Sequence, residues 1–172
     1  MFAILLAGSL ARNLTVLLVA ILFSVVAQVV SLLLYVKWEN TDIFVSDRKK
    51  RGPLFFVAVV SYALGSVVLY YMHAPFIATA LMLAYAINTV AASLINEFYK
   101  VSMHVWSISG PAIALLYQYG IVVCLAAVIA ALFVGHTRIL MKAHTGGQVL
   151  LALLVSIPLT GLIIYYLAPA II

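Results

Sequence analysis

The stretch Arg138-Ile139-Leu140-Met141-Lys142-Ala143-His144-Thr145-Gly146-Gly147-Gln148 carries an arginine, a histidine six residues on and an amide four residues after that. A guanidinium can hold an oxyanion through paired N–H donors, an imidazole can attack it, and an amide carbonyl can orient the attacking ring. Two further polar stretches come earlier in the chain: the basic run Arg48-Lys49-Lys50-Arg51 ahead of Gly52-Pro53, and Lys100-Val101-Ser102-Met103-His104. All three adjoin long apolar runs, so their joint chemistry depends on how those runs are threaded.

The 172 residues are 67% hydrophobic and 8% charged, with a mean hydropathy of +1.28. A soluble domain of this size carries about a quarter charged residues. The composition predicts an all-α, polytopic membrane protein, a single integral membrane domain over 1–172. The formal charge of +5 has no solvated basic face to carry it, so no nucleic-acid partner is expected. The single cysteine, Cys124, lies in an apolar run and reads as a packing residue. Met1 to Leu6 lack a basic start, so no cleaved signal peptide is expected; residues 1–13, interrupted by Arg12 and Asn13, read as a lead-in to the first span.

Crossing about 30 Å of hydrocarbon takes roughly 20 apolar residues. Leu14–Val36, Leu54–Met72 and Phe76–Ile95 each meet that length. The run from Val105 to Gly135 is too long for one upright span and is broken at Tyr117-Gln118-Tyr119-Gly120, so it divides into helices near 105–118 and 120–136. A last span runs from Gly147 to Leu167, with Pro158 as a kink site. This makes a six-transmembrane-helix bundle; the alternative is five spans, with 105–136 as one tilted helix.

Six spans put the connections 37–53, 96–104 and 137–146 on one side of the membrane. They hold eight of the nine Lys and Arg residues and all four acids, and three of the four histidines (His104, His136 and His144) lie in or beside them. The positive-inside rule would turn such a face to the cytoplasm, but functional cations bias that count, so the side stays open. Pro53, Ser102 and the His144-Thr145-Gly146-Gly147 stretch each stand where a span begins, with Pro53 and Ser102 suited to a first turn and an N-cap. Three helix N-termini beside several cations would bind a multiply charged anion.

The order and spacing of these stretches resemble the type 2 phosphatidic acid phosphatase superfamily, whose motifs read K-x6-R-P, P-S-G-H and S-R-x5-H-x3-D. Here they correspond to Asp47-Arg48-Lys49-Lys50-Arg51-Gly52-Pro53, to Lys100-Val101-Ser102-Met103-His104, and to Thr137-Arg138-x5-His144-x3-Gln148. The resemblance covers residues 47 to 148. The chain departs from it in the first motif, in the missing Pro and Gly of the second, and in Thr137 for Ser and Gln148 for Asp.

The resemblance implies a phosphoryl-transfer site. His144 would attack phosphorus and form a phosphohistidine. Arg138, with Arg48, Lys49 and Arg51 in an order the motif leaves open, would hold the phosphoryl oxygens. Ser102 would donate a hydrogen bond to them. His104 would protonate the leaving oxygen and then activate water. Gln148, one helical turn beyond His144, would accept the Nδ1 proton and leave Nε2 free. No cofactor and no metal are expected, since no D-x-x-x-D or H-E-x-x-H spacing occurs. The implied substrate is a membrane lipid phosphate or prenyl diphosphate, with a preference for the prenyl diphosphate, and the implied setting is the cell membrane. Two other functions fit the same residues: a non-catalytic lipid-binding or transport protein, and a lipid phosphotransferase. Lys49 and Lys50 fit anionic headgroups equally well. Lys100 and Lys142 read as solvated anchors, Asn88 as an interhelical hydrogen-bonding residue, Ser61-x-x-x-Gly65 as a helix contact, and Tyr70, Tyr71, Tyr165 and Tyr166 as interface aromatics.

Overall fold

The computed structural model describes residues 14–171, with side chains described as far as Leu167; the lead-in 1–13 and Arg12 lie outside the described residues. Six helices follow one another: α1 (Leu14–Glu39), α2 (Gly52–Tyr71), α3 (Phe76–Phe98), α4 (Met103–Tyr119), α5 (Ile121–Leu140) and α6 (Gly146–Ile171). There is no strand among the described residues.

Five of these helices are long and apolar enough to cross a membrane, which is the count of the five-span alternative; α4, with 17 residues, falls short. The break expected near Gly120 is present. Gly120 adopts φ 81°, a conformation open to glycine, and leaves α4 and α5 as separate helices rather than one tilted rod. α5 runs four residues past its expected end, to Leu140, so Arg138 lies in its last turn and not in a loop. α6 continues through Pro158.

Three helices end on a non-glycine residue in the left-handed conformation: α1 at Asn40, α2 at His73 and α5 at Lys142. Each closes with the backbone pattern that satisfies the terminal carbonyls, as where Ala143 N–H donates to Arg138 C=O and Lys142 N–H to Ile139 C=O. This pattern sets the exit of the connections after α1 and α5, while α3 ends on Tyr99 in an extended conformation.

Large apolar side chains remain exposed along the outer faces, among them Leu18, Leu33, Phe56, Leu64, Leu94, Phe133 and Leu154. In water such a surface would aggregate; in hydrocarbon it is the expected exterior. The interior is held by small residues and a few polar links. Gly65 faces the Phe23 side chain so closely that a Cβ would stand 2.7 Å from it, and Ser61 Oγ donates to Phe23 C=O at 2.8 Å. That carbonyl lies in a π-helical turn of α1, Leu22–Val26, where the regular ladder is interrupted. Below the polar end, Trp106 Nε1 donates to Asn88 Oδ1 at 2.9 Å and Asn88 Nδ2 donates to Thr160 Oγ1 at 3.0 Å, which ties α3, α4 and α6 together. Ser109 and Ser156 hydroxyls meet at 2.6 Å between α4 and α6. Each link satisfies buried polar groups where no water is at hand.

Candidate active site

A cavity of about 750 Å³ opens at the end of the bundle where α2, α4 and α6 begin. Its walls mix chemical characters. Arg51, Lys100, His104, Arg138, Lys142 and His144 line it together with Leu32, Leu54, Phe55, Ala58, Tyr62 and Met103, and with the neutral polar Gln28, Ser31, Ser46 and Thr89. A smaller cavity of about 250 Å³ adjoins it, sharing Tyr62, Thr89 and Met103.

His144 stands in the short connection between α5 and α6 and is 8% exposed. Two features hold it. The carbonyl of Arg138 accepts the N–H groups of both Ala143 (3.0 Å) and His144 (3.3 Å), so the helix end that presents Arg138 also anchors the histidine. On the other side Thr145 and Gln148 form a capping box: Thr145 Oγ1 accepts Gln148 N–H at 3.4 Å and Gln148 Oε1 accepts Thr145 N–H at 3.3 Å. His144 Nδ1 lies 2.9 Å from that same Gln148 Oε1. Because the Thr145 N–H can only donate, the shared atom is the amide oxygen. Nδ1 then carries the proton and Nε2 keeps its lone pair. The sequence predicts a shared helix face for His144 and Gln148. The contact is instead made by a residue in the first turn of α6 reaching back to a loop residue.

The His144 imidazole has its pKa pushed below the ordinary value, chiefly by desolvation; the Gln148 hydrogen bond opposes this, and the charges of Lys100, Arg51 and Arg138 reinforce it. The ring is therefore held as the neutral base over more of the acid range. Arg138 lays its guanidinium over the Phe44 ring at 5.4 Å, and its Nε is buried without a hydrogen-bond partner. Arg138 lines the cavity, which places a guanidinium beside any anion held there. Arg51 is aimed by its own Nε, which donates to Val45 C=O at 2.8 Å. Val45 sits at φ 43°, an uncommon position for a β-branched residue, in a connection whose turn is closed by Asp42. The Asp42 carboxylate accepts from Phe44 N–H, Ser46 N–H and Ser46 Oγ, which together draw its pKa down. His104 is exposed on the first turn of α4, at the same cavity wall.

Three expected phosphate contacts are absent from that wall. Arg48 turns away: its Nη1 donates to the carbonyls of Asn96 (2.8 Å) and Glu97 (2.5 Å), and Asn96 Nδ2 returns a bond to Arg48 C=O at 3.0 Å. It caps the C-terminal end of α3. Lys49 is exposed; its backbone N–H is used by Asp47 and its side chain does not line the cavity. Ser102 occupies the N-cap position of α4, but its hydroxyl makes no capping bond; the residue is fully buried, its Oγ lacks a partner, and it does not line the cavity. Thr137, the counterpart of the motif serine, donates to Val134 C=O within its own helix.

Two lysines read as solvated anchors, Lys100 and Lys142, stand at the cavity instead. The Thr145-Gly146-Gly147-Gln148 spacing is a capping box legible in sequence. No sequence signal distinguishes Arg48 from Arg51, since the Arg48–Arg51 turn of 3₁₀ helix decides which way each points. Among the described residues no group of three or more His, Cys, Asp or Glu side chains is gathered to hold a metal ion. The chain matches no family model, and no curated protein and no solved structure matches it.

Proposed function

We propose that this protein is a membrane lipid phosphatase, a compact and divergent member of the type 2 phosphatidic acid phosphatase superfamily, acting through a phosphohistidine. One observation carries the reading: His104, His144, Arg51 and Arg138 line one cavity together with apolar side chains such as Leu32, Leu54, Phe55 and Met103. An amphiphile with an anionic headgroup matches both kinds of lining.

In the first step His144 Nε2 attacks phosphorus, the bond to the leaving oxygen breaks, and His104 supplies the proton that oxygen needs. Gln148 keeps Nδ1–H in place while positive charge builds on the ring. Arg51 and Arg138 hold the non-bridging oxygens as they gain charge. In the second step His104 takes a proton from water, the water oxygen attacks phosphorus, the P–N bond breaks, and phosphate leaves. The cations Arg51, Lys100, Arg138 and Lys142 at one cavity favour a diphosphate over a monophosphate. A prenyl diphosphate, whose tail stays in the bilayer, is the preferred substrate.

All six helices cross the membrane in this reading. α4 spans about 25 Å at 1.5 Å per residue, a little less than the hydrocarbon thickness. The start of α4 (His104) and the end of α5 (Arg138) line the same cavity, and Gly120 alone joins the two helices. If α5 crosses, α4 must make the same passage in the opposite direction.

The test uses full-length protein in detergent with a polyprenyl diphosphate and EDTA. Phosphate release that disappears in His144→Ala, with lipid binding retained, supports the reading. Lipid binding without release by the unaltered protein identifies a binding protein, and delivery of the phosphoryl group to an added alcohol identifies a transferase; either result contradicts it.

A further inference from the structure

Lys100 has entered so far only as one of four cations at the cavity. α3 ends at Phe98, and Tyr99 continues in an extended conformation toward α4. From there the Lys100 side chain crosses to the connection between α5 and α6, where its Nζ donates to Ala143 C=O at 3.0 Å. Ala143 directly precedes His144. An ammonium carries three N–H donors, and this bond takes one of them. The side chain also lines the cavity.

A solvated anchor would point away from like charges. Lys100 faces them: Arg51 from the start of α2, Arg138 from the end of α5, and Lys142 and His144 from the α5–α6 connection, with His104 on the first turn of α4. Asp42, in the connection after α1, acts on it with the opposite sign. Burial, then Arg51 and Arg138, push the Lys100 pKa below its ordinary value. Keeping an ammonium among cations is unfavourable in the empty cavity and becomes favourable when an anion enters.

We propose that Lys100 is a positioning residue: its ammonium, tied to the Ala143 carbonyl, holds the His144 connection against the cavity and turns its remaining N–H donors to the anion bound there. The inference deepens the phosphatase reading, on which it rests only for the anion's identity. Lys100 also contributes the largest charge effect on His144, lowering its pKa. Removing that charge therefore raises the His144 pKa toward the ordinary imidazole value.

Two measurements on full-length, histidine-labelled protein in detergent test it without turnover. One is the NMR titration of His144, assigned with His144→Ala; the other is calorimetric binding of inorganic diphosphate. In Lys100→Met the His144 midpoint moves to higher pH and diphosphate affinity falls by about tenfold or more, the loss expected for a charge-assisted bond. Lys100→Arg keeps both close to the parent values. Lys100→Gln retains an N–H for Ala143 but not the charge: its diphosphate affinity falls as in Lys100→Met, while its His144 midpoint, with the connection still tied, moves less than in Lys100→Met. Lys100→Ala takes the place of Lys100→Met if that variant fails to fold. A His144 midpoint that is unchanged in Lys100→Met, or that moves equally in Lys100→Gln, overturns the positioning role, and unchanged diphosphate affinity overturns the anion contact. Absence of phosphatase activity in the parent protein, with both shifts present, refutes the phosphatase reading and leaves this inference standing.

Discussion

Replacing Gln148 by Leu removes one acceptor and little else. Leu matches Gln in size and favours helix at least as well, so α6 keeps its first turn. The 2.9 Å contact to His144 Nδ1 is lost, and the buried ring no longer has its proton fixed on Nδ1. In the ground state that bond joins neutral groups and contributes about 1 kcal/mol. As the ring attacks phosphorus it gains positive charge, and hydrogen bonds to charged groups contribute roughly 1.5–3 kcal/mol. The rate loses only the difference, about 0.5–2 kcal/mol. At about 1.4 kcal/mol per decade, kcat/KM falls by roughly 2- to 30-fold. The effect on stability is of similar size. The variant loses the 2.9 Å His144 bond and, of the two capping-box bonds, the 3.3 Å bond from Thr145 N–H, about 1–2 kcal/mol together. Gln148→Asp restores an acceptor and adds a negative charge that favours the imidazolium. Its acid limb therefore moves to higher pH, while activity above that limb is retained. The assay is the pH profile of phosphate release for the three proteins, beside their thermal unfolding. A Leu variant as fast as the parent, differing only in stability, would reduce Gln148 to a helix cap and refute the orienting role.

Gly135→Ala tests how the histidines are brought together. Its Cβ would stand 2.6 Å from Val149 Cγ1 and 3.4 Å from Val105 Cγ2, each one residue beyond Gln148 and His104 in turn. Val149 is β-branched and cannot swing aside, so the variant loses about 1–3 kcal/mol in thermal unfolding and also loses turnover; unchanged activity would show that this crossing does not set the site. Arg48 and Arg51 should separate by assay. Arg51→Ala raises KM for the lipid, whereas Arg48→Ala loses about 1.5–3 kcal/mol of stability with KM unchanged, because its partners are backbone carbonyls; a selective rise in KM for Arg48→Ala would contradict this. The depressed His144 pKa sets a sign for pH dependence. The neutral nucleophile persists below the ordinary 6.5, so the acid limb of kcat/KM lies below that value. The same depression contributes stability that is present above 6.5 and lost as pH falls through the lower folded value, since the unfolded chain binds the proton first. An acid limb above 6.5 would contradict both.

The helices were legible because membrane spans need only length and apolar character. The apolar runs gave Leu14, Phe76 and the division at Gly120 closely, and the expected interhelical role of Asn88 has its partners in Trp106 and Thr160. The ends were less legible. α5 extends to Leu140 because its closing left-handed residue is Lys142, and a lysine gives no stop signal where glycine would have. The site was legible as a set of residue types but not as directions. His104, His144, Arg51 and Arg138 share a wall. Arg48 differs from Arg51 only by its place in one tight turn, and Ser102 is turned into packed protein by the approach of α4. Lys100 was hidden because its partner is a backbone carbonyl forty-three residues away, which no local pattern encodes.

The proposed covalent step is open to direct measurement. Full-length protein mixed briefly with a lipid diphosphate labelled at its terminal phosphoryl group, then denatured and digested, should carry an acid-labile, alkali-stable label on the peptide containing His144. Once formed, that label should decay more slowly in a His104→Ala variant, where water is no longer activated, although it also forms more slowly there. Phosphate release at full rate with no label on His144, or from a His144→Ala protein, would contradict the account.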